Sequence, residues 1–248
     1  MLFWRVYKNA PFRARSLFVM ITLNMYTFLR NTFLLLAVFF TPSFLLAYKP
    51  TINTTKLPFE LVNIDNNVET QSEYLGELTG YPQMYEFVLA EEATLTLELA
   101  QLPSDNQVQF SLITVKENAK NGGVTEVGRL QAKDISWTLV KDRVLGMRLL
   151  KSQIFSAELT AGVYRVEVST PDNFGSYLLT VGDKPFNPGY FNTLSDIRTI
   201  QNFFKLSLWS MFKSSYVYYP LGIIILLMLY FVTWRNREKL QGQFSFKK

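Results

Sequence analysis

Few residues in this 248-residue chain have the types and spacing to do chemistry. It contains neither His nor Cys, which removes the usual zinc ligands, thiol nucleophiles and the side chain best suited to acid–base work near neutral pH. Three small constellations remain. Ser210 and Lys213 have a bare Ser-x-x-Lys spacing, in which a desolvated lysine could activate the serine. No supporting motif accompanies them, and the spacing reads as incidental. Asn63, Asp65, Asn66, Asn67 and Glu69 crowd one loop, where alternate oxygens could hold Ca²⁺ or simply build an Asx-rich turn. The glycine and distal glutamate of an EF-hand are missing. Asn53, Thr54 and Thr55 form a glycosylation sequon, which matters only in a eukaryotic host. No catalytic, cofactor-binding or metal residue is assigned, and the chain is expected to be no enzyme and to need no cofactor.

The element that positions everything else is Tyr216 to Trp234, an uncharged apolar run followed at once by Arg235, Arg237 and Lys239. Val217 to Trp234 as a helix is roughly 27 Å long at 1.5 Å per residue, close to the hydrocarbon thickness of a bilayer. Tyr216, Tyr218 and Tyr219 at one end and Tyr230 and Trp234 at the other suit the headgroup layers, and the basic cluster predicts a cytoplasmic carboxyl end. The charge distribution agrees. Residues 1–30 hold five bases and no acid, residues 235–248 five bases and one acid, and the middle 15 bases against 19 acids. The basic balance therefore belongs to the two flanks, and a mildly acidic middle domain predicts no nucleic-acid partner.

Residues 31–47 form a second apolar run after Arg30, ending in Leu45, Leu46 and Ala47. This predicts a signal peptide cut near Ala47, with an uncut signal anchor as the alternative. Initiation at Met25 would give a signal of ordinary length; a hairpin or double anchor using Ser16 to Leu29 is the rival. The expected organisation is a basic and hydrophobic signal region over 1–47, an extracytoplasmic β-sandwich over 48–183, a linker and amphipathic juxtamembrane helix over 184–214, a transmembrane helix over 215–234 and a basic tail over 235–248.

From Thr51 to Val181 the pattern is that of strands. Tyr85, Phe87 and Leu89 share one face, as do Leu95, Leu97 and Leu99; further runs are Val108 to Lys116, Val124 to Leu130, Trp137 to Val140, Val144 to Leu150, Val163 to Ser169 and Ser176 to Val181. Seven or eight strands predict an all-β fold, an antiparallel, jelly-roll-like sandwich held by its core without disulfides. Asp172 to Gly175 supply hairpin-turn chemistry, which would pair the last two strands, and Asn121, Gly122 and Gly123 mark another reversal. In the last two strands, Leu159, Ala161, Gly162 and Tyr164, then Gly175, Tyr177 and Leu179, resemble the closing hairpin of bacterial pre-peptidase C-terminal domains. The resemblance spans about Tyr85 to Val181. It implies an extracellular sandwich used as a passenger, targeting or ligand-binding module, with no catalytic part.

After Pro185 and Pro188, Leu194, Ile197, Ile200, Phe204, Leu208 and Met211 recur at helical spacing, with Thr193 and Asp196 placed as a capping box. Phe203, Trp209 and Phe212 widen the apolar face. Such a helix could lie on the outer leaflet, pack on the sandwich as a stalk, or face a partner membrane protein. The expected protein is a single-pass cell-envelope protein in the cell membrane, with the bilayer and a glycan or protein on the outer side as partners. The alternative is an accessory or cargo-receptor-like subunit of a membrane complex.

Overall fold

A computed structural model describes residues 49–53, 57–64, 67–104, 107–118, 122–186 and 188–244, all within the compact unit Leu45–Lys248. The expectations for the start at Met25, the signal at 1–47, Thr54, Thr55, Asp65, Asn66 and Asn121 lie outside the described residues.

The strands are β1 (Pro50–Ile52), β2 (Leu61–Asn63), β3 (Ser72–Thr79), β4 (Gln83–Leu89), β5 (Ala93–Gln101), β6 (Ser111–Glu117), β7 (Val124–Leu130), β8 (Thr138–Asp142), β9 (Met147–Lys151), β10 (Phe155–Leu159), β11 (Gly162–Ser169) and β12 (Phe174–Val181). They form two sheets. The larger runs β1-β3-β12-β5-β9-β8, with β10 also paired to β5; the smaller runs β2-β4-β11-β6-β7. Alternation explains what lies between them. Tyr85 and Phe87 of β4 and Tyr164, Val166 and Val168 of β11 meet Leu95, Leu97 and Leu99 of β5 and Tyr177, Leu179 and Val181 of β12 in one buried core. The Tyr164 ring stacks on Phe87 with centroids 5.5 Å apart.

Four strands, β1, β2, β3 and β10, were not expected, and the runs from Val108 and Val144 begin pairing later, at Ser111 and Met147. Pairing is not wholly antiparallel, because β1 joins β3 and β2 joins β4 in parallel. The largest correction concerns the last two strands. β11 pairs with β4 and β6, whereas β12 pairs with β3 and β5, so the expected hairpin is an arch that carries the chain from one sheet to the other. The turn chemistry is present, with Asn173 at φ 54° and Gly175 at φ 136°. Positive φ reverses the chain but does not choose a partner; the inward rows of β11 and β12 are satisfied by facing each other across the core. The reversal at Gly122 and Gly123 does join two paired strands, β6 and β7.

A polar chain ties the sheets inside this core. The Tyr85 hydroxyl donates to that of Tyr177 (2.8 Å), which donates to Gln83 Oε1 (2.7 Å), and Gln83 Nε2 donates to the Glu77 carbonyl (3.0 Å). Burial pushes the Tyr85 phenol up to about 12, so it remains a donor at any physiological pH.

The larger sheet is covered on its outer face as well. Helix α1 (Tyr190–Phe203) lays Ile197 and Ile200 on Leu75, Leu178 and Ala100, which sit side by side across β3, β12 and β5. The expected capping box is not formed: α1 begins three residues before Thr193, after Gly189, and Thr193 Oγ1 donates back to the Gly189 carbonyl at 2.9 Å. A 3-10 helix (Leu208–Lys213) follows, and helix α2 runs unbroken from Ser215 to Phe244, through the first part of the expected tail.

Candidate functional site

A set of specific contacts outside the inner core lies where the sandwich meets α2. Helix α1 ends in a Schellman turn: Leu206 N–H donates to Gln201 O and Lys205 N–H to Asn202 O, both at 2.9 Å, with Lys205 at φ 56°. This stop breaks the expected continuous amphipathic helix before Leu208. A left-handed lysine carries a penalty that glycine would not, and it turns the chain towards the β8–β9 turn.

Three successive carbonyls of that turn then receive one donor each. Ser215 N–H donates to Arg143 O at 2.8 Å, Ser214 Oγ to Val144 O at 2.5 Å, and Gln201 Nε2 to Leu145 O at 2.7 Å. Asp142 Oδ1 braces the turn by accepting from Leu145 N–H at 2.8 Å. Gly146 makes the approach possible. A Cβ there would stand 2.6 Å from Ser214 N, and its φ of 67° already favours glycine. Leu145, Met147 and Tyr216 add apolar support in the same cluster as Ile197, Ile200 and Phe204.

Pro220 explains a further contact. Proline has no N–H, so the Tyr216 carbonyl four residues earlier receives no helical hydrogen bond from residue 220. The Tyr190 hydroxyl, from the first turn of α1, donates to that carbonyl at 2.7 Å, and its ring stacks on Tyr216 with centroids 5.9 Å apart. Each such bond contributes about 0.5–1.5 kcal/mol net. Together they make a fixed joint. Past it, Ser215–Thr233 is one helix long and apolar enough to cross a membrane, and Leu221, Ile224, Ile225, Leu226, Leu227, Met228, Leu229, Phe231 and Val232 are exposed around its circumference.

The expected chemistry-bearing residues are dispersed. Ser210 is buried in the 3-10 helix while Lys213 is exposed to solvent, so the desolvated lysine that a Ser-Lys pair requires is not formed. Asn63 lies exposed on β2, and Glu69 pairs with Lys184, which holds its carboxyl below the usual range. Glu69 also lines a cleft of about 430 Å³ with Glu92, Glu158, Thr94 and Thr160. Asn53 donates through Nδ2 to Gln83 at 2.8 Å, engaging the nitrogen that glycosylation would use. Of the arrangements expected for the juxtamembrane segment, α1 adopts the one packed on the sandwich, while Leu208, Trp209 and Phe212 of the 3-10 helix are exposed.

One buried ionisable group was not anticipated. Glu73 of β3 lies under α1, fully buried, accepting from Lys49 N–H at 2.7 Å and Gln71 Nε2 at 2.8 Å. Burial pushes its carboxyl up to about 7, against those two hydrogen bonds and the Lys151 charge, with Asp196 of α1 adding to the rise. The joint residues Tyr190, Gln201 and Gly146 were missed as well. The one signal in the sequence was Pro220, which announces a carbonyl in need of an outside donor.

Among solved structures, the chain is similar to the pre-peptidase C-terminal domain of a collagenase from Bacillus anthracis, at 14% identity, covering 52% of this chain and 98% of that domain with a TM-score of 0.31. The likeness is weak. No protein-family model matches the chain, and no curated protein matches it.

Proposed function

We propose that the chain is a non-enzymatic, single-pass membrane protein of the cell envelope whose β-sandwich stands outside the membrane and binds a partner there. The carboxyl end of α2 lies in the cytoplasm, where Arg235 and the bases after it favour retention. The observation that carries this reading is the joint, where three carbonyls of one sandwich turn are bonded to Gln201 of α1 and to Ser214 and Ser215 at the head of α2. A module that only tethers a soluble ligand gains nothing from a fixed angle to the membrane. A subunit that must present its sandwich at a set height and orientation does, so the joint favours a protein partner in or beside the same membrane over a free polymer. The smaller sheet offers the open face, with Met84, Val88, Ile113 and Val115 around an ion cluster in which Arg165 bridges Glu86 (2.9 Å) and Glu117 (2.5 Å).

The chain has no cysteine of its own, so single cysteines test both parts of the reading. In intact cells an impermeant maleimide is expected to label Val88→Cys and spare Ser245→Cys; the reverse pattern overturns the topology. A photo-crosslinker at Val88 or Ile113 is expected to give one discrete product in native membranes and none at Thr199, on the far side. Equal labelling at all three positions, with a purified sandwich that retains glycans, would replace the protein partner by a polymer.

A further inference from the structure

The 3-10 helix Leu208–Lys213 is out of keeping with the rest of the outer domain. Leu208, Trp209 and Phe212 are 70%, 76% and 52% exposed, whereas Ser210 between them is buried. With three residues per turn, positions 209 and 212 stand above one another, and their rings lie 5.7 Å apart. This is an apolar ridge turned away from the protein. Neither buried apolar cluster of the outer domain includes Leu208, Trp209 or Phe212.

What covers the ridge follows from its place and its charge. Phe212 precedes the first residue of α2 by three positions, a reach of roughly 10 Å at most. The pinning of Ser214 and Ser215 to Val144 and Arg143 fixes the ridge relative to that helix. Arg198 steadies its near side by donating from Nη1 to the Ser207 carbonyl at 3.3 Å. Residues 197–237 contain no Asp or Glu, and the exposed Lys205 and Lys213 flank the rings. Indole and phenyl rings between solvent-reaching lysines match a phospholipid headgroup layer, where rings take the boundary and ammonium groups meet phosphates.

We infer that Leu208, Trp209 and Phe212 form a wedge inserted into the headgroup layer of the leaflet from which α2 emerges, with Lys205 and Lys213 on lipid phosphates, so that the sandwich is seated against the bilayer. This rests on the reading of Ser215–Thr233 as membrane-spanning. The joint fixes the sandwich to α2, and the wedge, as a second attachment to the leaflet, holds the tilt of that fixed unit in the bilayer.

The test uses the full chain in vesicles of phosphatidylcholine with a minority of phosphatidylglycerol, spin-labelled at one introduced cysteine: Ser207→Cys beside the ridge, Leu226→Cys in mid-helix, or Leu139→Cys on β8. Oxygen collides with labels in lipid and a nickel chelate with labels in water. The expected result is a severalfold higher oxygen-to-nickel ratio at 207 than at 139, below that at 226, and its loss to the value at 139 when Trp209→Ser and Phe212→Ser are added. If 226 lies in lipid while 207 matches 139, the anchor stands and the wedge is overturned. If 226 is aqueous, the anchor reading fails and takes the wedge with it. A label at 207 shielded from both reagents places the ridge against a second copy of the chain and also overturns the wedge.

Discussion

The two faces of the larger sheet bury apolar side chains against different partners, and they do so by different grammar. The inner face meets the other sheet through long regular rows: Leu95, Leu97 and Leu99, then Tyr177, Leu179 and Val181. The outer face meets a helix and a turn through scattered residues: Leu75, Ala100, Leu178, Leu145, Met147 and Leu149 under Ile197, Ile200 and Phe204. The inner core holds the two sheets together, and the outer one holds the sandwich to α2. Folding and attachment therefore draw on opposite faces of the same strands, β3, β5 and β12, and a defect in one need not appear in the other.

That separation predicts an order of effects, measured on the full chain in mild detergent. Tyr164→Ala removes a ring stacked on Phe87 and a hydroxyl that donates to the Thr160 carbonyl at 2.7 Å. It is expected to cost about 3–5 kcal/mol and to lower the denaturant midpoint of the whole sandwich. Ile200→Ala is expected to cost about 2–4 kcal/mol, but to act locally. Amide exchange should rise in α1 while β11 stays protected. Loss of protection in both regions at once would show that the two cores unfold as one unit.

Glu73 sharpens the comparison, because it is the ionisable group buried beneath the outer layer. Its carboxyl stands at about 7 against an ordinary 4.5, so between those two values the folded chain binds more protons than the unfolded one. Stability contributed through this group is therefore greatest below pH 4.5, declines as pH rises towards 7 and is flat beyond. The drop approaches about 3 kcal/mol, less whatever relaxation the site allows. Glu73→Gln should flatten that slope and gain on the native chain as pH rises, as denaturant melts at pH 5 and pH 8 would register. An unchanged slope would mean that Glu73 is solvated in the folded protein.

The same contrast explains what could be read in advance. Strands with one face in the core and the other towards water alternate cleanly, as in Tyr85, Phe87 and Leu89 or Tyr164, Val166 and Val168, and these were legible. β3 was not. Buried on both faces, its Ser-Glu-Tyr-Leu-Gly-Glu-Leu-Thr places Tyr74 inward and Leu75 outward with Glu73 beside them, and no period of two survives. The arch between β11 and β12 shares its turn residues with a hairpin, and only pairing with distant strands tells the two apart. The helix Ser215–Thr233, long and apolar enough to cross a membrane, was legible because length and composition alone define that property. The joint was illegible because its donors are common polar groups acting over separations of 56 and 70 residues.

The smallest expected effect probes that joint most directly. If the Tyr190 hydroxyl takes the place of the N–H that Pro220 lacks, the two residues are energetically coupled. Tyr190→Phe keeps the ring stacked on Tyr216 and removes only the 2.7 Å hydrogen bond. It should cost about 1 kcal/mol. Pro220→Ala supplies a backbone N–H to the Tyr216 carbonyl, so in that background the same change should cost a few tenths of a kcal/mol at most. Denaturant melts of the native chain, both single variants and the double variant close the cycle. Equal costs in the two backgrounds would show that the hydroxyl and the missing N–H act independently, and the joint would then rest on the β8–β9 turn and the apolar layer alone.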